Sequence, residues 1–135
     1  MKMIAELLPQ KFPFVMVDTL LHYTETSINS GYTVAPDALF VEDGHFLEGG
    51  LIEHMAQSVA LHTGYGCYLR NEPAPLGYIG AISQISIHRL PAVGETLHTT
   101  VAIIQEFSGI TLVEIETRVG HEVIASGKMK TVLAS

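Results

Sequence analysis

A histidine set between a glycine and a phenylalanine, Gly44-His45-Phe46, is followed eight positions later by Glu53, near the start of a long apolar run. A histidine exchanges its proton close to neutrality, at an unperturbed pKa of about 6.5, so His45 is a candidate base. Glu53 is a candidate acid. Burial in an apolar helix favours the neutral form of a carboxyl and the positive end of a helix favours the anion, so the sequence position of Glu53 leaves the balance undecided. Gly49, Gly50 and Leu51 lie where that helix begins. Unpaired N–H groups at a helix start suit a carbonyl oxygen that gathers charge, and glycines permit close approach. A base, an acid and a set of donors are the parts of acid–base chemistry beside a polarised carbonyl. Each residue also has a plainer role: a loop histidine bonded to backbone, or a first-turn glutamate complementing the helix dipole. Gln57, one turn after Glu53, either orients it or hydrogen-bonds a buried loop. His54 and His62 share a helix side two turns apart, but no third ligand stands near them, so no metal site is expected. His88, His98 and His121 are expected in solvent.

These residues need a scaffold. From Leu51 to about Arg70 the chain has no proline, and glycine enters only at Gly64 and Gly66. The run allows about five helical turns and reads as the one substantial helix. Ala56, Ala60 and Gly64 form a small-residue stripe suited to close approach of a sheet, and His54, Ser58 and His62 form a polar one. Leu51, Ile52, Met55 and Val59 fill in apolar contacts, so the helix should be wrapped by the sheet. Upstream, Met3 to Leu8 reads as a short helix stopped by Pro9. Phe14 to Tyr23 and Ile28 to Val34 read as strands, and Pro36 to Gly50 as an irregular loop. Downstream, strands are expected at Gly77 to Arg89, Thr96 to Phe107, Ile110 to Val119 and Glu122 to Leu133, joined by tight turns. Val113, Ile115 and Thr117 alternate with Glu114, Glu116 and Arg118, which gives one wet and one buried face. The expected fold class is α+β, an antiparallel sheet with the helix on its concave face.

The chain has 135 residues, 47% hydrophobic and 16% charged, with a formal charge of −7 and one cysteine. That length suits a single domain, 1–135, with no internal repeat or linker. So apolar a composition points to a homo-oligomer. The negative balance and the scattered Lys and Arg disfavour nucleic acid and anionic membranes. Arg70 and Arg89 are the candidates for a local basic spot that an acidic carrier protein would need. Cys67 alone makes no internal disulfide or thiolate zinc site and should pack as a small hydrophobe. Polar residues break every apolar stretch before the ~20 residues of a membrane span. The opening Met-Lys-Met-Ile-Ala-Glu does not read as a signal peptide, so a cytoplasmic location is expected.

Three segments in order resemble the FabZ-type 3-hydroxyacyl-ACP dehydratases of fatty acid synthesis. They are Leu7-Leu8-Pro9-Gln10-Lys11-Phe12-Pro13-Phe14 with Val17-Asp18, then Gly44-His45-Phe46 with Glu53-His54-Met55-Ala56-Gln57, and finally Pro91-Ala92-Val93-Gly94-Glu95. The family pattern reads Glu-Ala-Met-Ala-Gln where this chain has His54 in second place, and its loop between histidine and glutamate is longer and proline-rich. A short loop before an Ile-Glu-x-Met-Ala-Gln helix is similar to the divergent dehydratase-like proteins of aryl-polyene and flexirubin pathways. There the histidine is not always kept.

The resemblance implies a hot-dog fold, a six-stranded antiparallel sheet wrapped around one long central helix. It also implies a dimer whose two sites form at the interface, with His45 as base and Glu53 as acid drawn from different subunits. The activity implied is dehydration of 3-hydroxyacyl thioesters, on acyl carrier protein or CoA, without a cofactor. Ile82, Ile85 and Ile87 would line an acyl tunnel. Two other readings stay open. One is a hot-dog thioesterase in which Glu53 activates water; the other is a non-catalytic subunit completing a heterodimer with a related dehydratase.

Overall fold

The computed structural model describes residues 7–8, 14–73 and 78–133. The chain runs β1 (Thr19–Thr24), β2 (Ser27–Thr33), β3 (Val41–Glu42), β4 (His45–Phe46), α1 (Glu48–Leu69), β5 (Tyr78–Ile87), β6 (Thr96–Phe107), β7 (Ile110–Val119) and β8 (Glu122–Leu133). Six strands form one antiparallel sheet, as expected, in the order β1-β2-β6-β7-β8-β5. The meander expected of the last four strands holds only for β6, β7 and β8, because β5 crosses over to pair with β8 and leaves β6 to β2. Except for Leu7 and Leu8, the short helix expected over Met3 to Leu8 lies outside the described residues, as does Gly77.

Alternation builds the sheet. In β7, Val113, Ile115 and Thr117 are buried while Glu114 and Arg118 are exposed. Ser108 and Gly109, with φ of 50° and 79°, supply the two left-handed positions of the tight β6–β7 turn. Leu51, Met55 and Leu61 of α1 pack with Leu97, Val101, Val113, Ile115, Ile124 and Met129 of the sheet into one core, and α1 touches β2, β5, β6 and β7. Ile82, Ile85 and Ile87 are half-buried against that core. Cys67 is buried, and His88, His98 and His121 are exposed.

Three further expectations need correction. The strand read from Phe14 begins only at Thr19, because the Phe14 and Met16 backbone groups bond to helix side chains instead of a strand. The helix begins at Glu48 instead of Leu51 and absorbs Gly49 and Gly50. The supposed irregular loop holds a hairpin, β3 and β4, turned by Asp43 and Gly44 with φ of 52° and 75°. The small-residue stripe also meets something other than expected at one end. A Cβ at Gly64 would collide with the Leu7 backbone carbonyl, so the close neighbour there is the N-terminal segment. The polar stripe is the one bonded to the sheet: Ser58 to Ser30 of β2, His54 to Thr99 of β6, and His62 to the Thr24 carbonyl of β1.

Candidate active site

His45 stands on β4 and is exposed. The hairpin that carries it docks on the turn before β6. The Phe46 amide donates to the Pro91 carbonyl at 2.8 Å, the Val93 amide donates to the Gly44 carbonyl at 2.9 Å, and His45 bridges to Ala92. That turn is itself clamped. Glu95 accepts the Ala92 amide at 2.8 Å and two bonds from Arg89, whose Nε reaches Glu122. The Arg89 guanidinium and the Ala92 amide hold the Glu95 carboxyl below the usual carboxylate range. The His45 ring has Nδ1 3.1 Å from the Asp43 carbonyl. A carbonyl only accepts, so the neutral ring carries its hydrogen on Nδ1 and leaves Nε2 bare.

Glu53 lies in the second turn of α1, half-buried, and its Oε2 accepts from Gln57 Nε2 at 3.0 Å. Gln57 is fully buried and makes both of the roles considered for it. It also donates to the Phe14 carbonyl at 2.6 Å and accepts the Met16 amide at 2.6 Å, so its flip state is determined by backbone partners. Among the described residues no hydrogen bond or ion pair joins His45 to Glu53.

The expected donor trio is reduced. The Gly50 amide donates to the Leu47 carbonyl at 2.9 Å and the Leu51 amide to the same carbonyl at 3.1 Å, because a helix that starts at Glu48 draws both into its first turn. Among the described residues the Glu48 and Gly49 amides donate to no acceptor. Gly50 is glycine for a packing reason, since a Cβ there would lie 2.5 Å from the Phe46 ring and 2.8 Å from Phe40 Cβ. Nor do Arg70 and Arg89 form a free basic spot. Arg70 pairs with Glu72, and Arg89 pairs with Glu95 and Glu122.

Sequence reasoning missed the role of His54. It is fully buried, with Nδ1 2.6 Å from the Met16 carbonyl and Nε2 2.7 Å from Thr99 Oγ1, which lies 2.7 Å from Thr117 Oγ1. Burial pushes its pKa down to about 4, so the ring is neutral. The available signal was the departure itself: a histidine where the resembling motif has alanine. Among the described residues no group of His, Cys, Asp and Glu could hold a metal ion, and no helix is long and apolar enough to cross a membrane. A cleft of about 670 Å³ lies toward the other end of α1, between Tyr23, His62, Arg70 and Glu106, and the candidate site residues do not line it.

A family model described as ApeP dehydratase matches residues 2–135. The chain belongs to the ApeP-like dehydratase family. Its relatives include the 3-hydroxyacyl-[acyl-carrier-protein] dehydratase FabZ of Shewanella baltica, 31% identical over 95% of this chain and 88% of that one. The FabZ of Shewanella woodyi is 30% identical over the same shares. Among solved structures, the dehydratase heterocomplex ApeI:P from Xenorhabdus doucetiae superposes with a TM-score of 0.86 at 20% identity, covering all of this chain and 93% of that one. The PaaI protein of Escherichia coli superposes at 0.65 with 17% identity, covering 84% and 81%. The ApeP-like chain therefore has the hot-dog fold that its motifs implied, and the dehydratase resemblance extends through its whole length.

Proposed function

We propose that this ApeP-like dehydratase removes water from 3-hydroxyacyl thioesters, carried on acyl carrier protein or CoA, to give trans-2-enoyl thioesters in fatty acid or polyene biosynthesis. The observation that carries the reading is the half-buried Glu53 carboxyl, tied at Oε2 by a buried glutamine. In this mechanism His45 Nε2 takes a proton from C2, and electrons move toward the thioester oxygen. The open Gly49 amide, with Glu48 beside it, is the donor suited to that oxygen. The C2–C3 double bond forms as the C3 hydroxyl takes the proton on Glu53 Oε1 and leaves as water. His45 ends protonated and Glu53 ionised, so a net proton transfer from one to the other resets the site.

The missing contact between His45 and Glu53 within the chain supports a site shared between two subunits. The second subunit is another copy of this chain or a related dehydratase, as in the ApeI:P heterocomplex. The expected setting is the cytoplasm.

The test is mass spectrometry of the purified protein with 3-hydroxyacyl thioesters on both carriers, beside His45→Ala and Glu53→Gln. The expected result is loss of water, lowered about 10²- to 10⁴-fold by either substitution. Release of a free acid and a thiol would make the protein a thioesterase. Unchanged substrate, converted only after a second dehydratase chain is added, would make it the silent half of a heterodimer.

A further inference from the structure

Glu53 is oriented by Gln57, and Gln57 is held from outside the helix, by the amide of Met16 and the carbonyl of Phe14. The anchor of the candidate acid is therefore the extended stretch from Phe14 to Met16, which has no strand partner of its own. Core packing of the Met16 and Val17 side chains holds it in depth. Its backbone orientation is set by one further bond, from His54 to the Met16 carbonyl.

The direction of that bond follows from its ends. The Met16 carbonyl can only accept, so His54 Nδ1 carries the hydrogen. In the neutral ring Nε2 is then bare and must accept, which makes the Thr99 hydroxyl its donor. Thr99, having given its hydrogen, accepts from Thr117. A single ordered series of contacts thus leads from the middle of the sheet through Thr117, Thr99, His54, Met16 and Gln57 to Glu53. Ser58 backs it from the other side. Its hydroxyl donates to the His54 carbonyl at 2.9 Å and accepts from Ser30 at 2.7 Å, which ties the same helical turn to β2.

We infer that His54 is a positioning residue for Glu53, acting through the Met16 peptide and Gln57, so that the orientation of the acid is referred to the sheet and not to the helix alone. This rests on the role proposed for Glu53. A side chain of the same size without the Nδ1 donor would free the Met16 carbonyl, let the backbone turn about the Met16 Cα and so loosen the Met16 amide on Gln57, and a displacement of a fraction of an ångström at a reacting group is felt in kcat.

Two substitutions separate this from a merely structural role. In His54→Asn the amide NH₂ falls where Nδ1 was and keeps the bond to Met16. In His54→Gln the amide falls where Nε2 was and keeps only Thr99. Both lose one of two buried bonds, so similar drops in melting temperature are expected. The expected kinetic result is asymmetric: His54→Gln lowers kcat about tenfold with KM little changed, and His54→Asn stays within about threefold of the native enzyme. The titration of the Glu53 carboxyl, followed by ¹³C NMR of glutamate-labelled protein, should move in His54→Gln and hold in His54→Asn. That readout needs no turnover, so a protein inactive on 3-hydroxyacyl thioesters would defeat the proposed function and still leave this test standing. Equal kcat and equal Glu53 titration in the two variants would overturn the inference. Should His54→Gln fail to fold, Thr99→Val, which removes the donor behind the ring, is expected to lower kcat severalfold and to shift the same titration; a native profile in that variant would overturn it as well.

Discussion

His45 and His54 stand nine positions apart and meet opposite environments. His45 rides on an exposed hairpin with one backbone partner and a bare Nε2. His54 is sealed between helix and sheet with both nitrogens occupied. The first presents a bare nitrogen to whatever approaches it; the second gives direction to its neighbours because both of its nitrogens are engaged. The difference shows that in this molecule placement separates an exposed histidine from a sealed one, since the residue type is the same and the surroundings are not.

Substituting each histidine should separate the two roles. The largest effect is expected from His45→Ala, which should lower kcat/KM about 10²- to 10⁴-fold while leaving urea stability within about 0.5 kcal/mol. A stability loss as large as the kinetic one would mean that the hairpin ring is structural. His54→Leu should behave the other way. It leaves the Met16 carbonyl without its side-chain donor and takes from the buried Thr99 hydroxyl one of its two partners, and a loss of about 2–4 kcal/mol in equilibrium urea denaturation is expected.

The third prediction concerns pH. The folded pKa of His54, about 4, lies below the unfolded value of 6.5, so on acidification the unfolded chain takes the proton first. Stability should therefore decline as pH falls from about 6.5 to 4, by on the order of 3 kcal/mol from this residue, and His54 should add nothing further below that window. Denaturation curves collected between pH 7.5 and 4 check it, and His54→Gln should flatten the slope. The smallest effect is expected from Glu95→Gln, which loosens the Arg89 clamp beneath the His45 hairpin. A severalfold fall in kcat with less than about 1 kcal/mol of stability is expected, because the Arg89 pair is partly solvated. An unaltered kcat would show that the hairpin keeps its place without the clamp.

The sheet was legible because its strands advertise themselves. β6, β7 and β8 begin and end where alternation and turn residues put them, and β5 differs from expectation at its ends and in its partner, β8 in place of β6. The hot-dog arrangement came from the motifs and their order, since six strands and a helix can be arranged in other ways. Phe14 to Asp18 was misread because an extended chain that bonds to side chains has the same composition as one that bonds to a neighbouring strand. The start of α1 was misread because Gly49 and Gly50 look like loop residues until the Phe46 and Phe40 rings that exclude a Cβ are in place. His45, Glu53 and Gln57 were singled out by motif. His54 was passed over because its partners, Met16 and Thr99, are 38 and 45 positions away, and only the strand register brings them to it.

The ordered donors behind His54 have a consequence for proton conduction. Every hydroxyl and ring hydrogen in the series points the same way, and the last one ends on a peptide carbonyl, which has no exchangeable hydrogen to hand on. A proton entering from Thr117 could go no further than the imidazole, where burial opposes its charge. The seam is a strut and not a wire. In the proposed mechanism, protons taken up and released during turnover then travel by way of His45, Glu53 and the solvent, and the interior of the sheet stays electrically silent through the cycle.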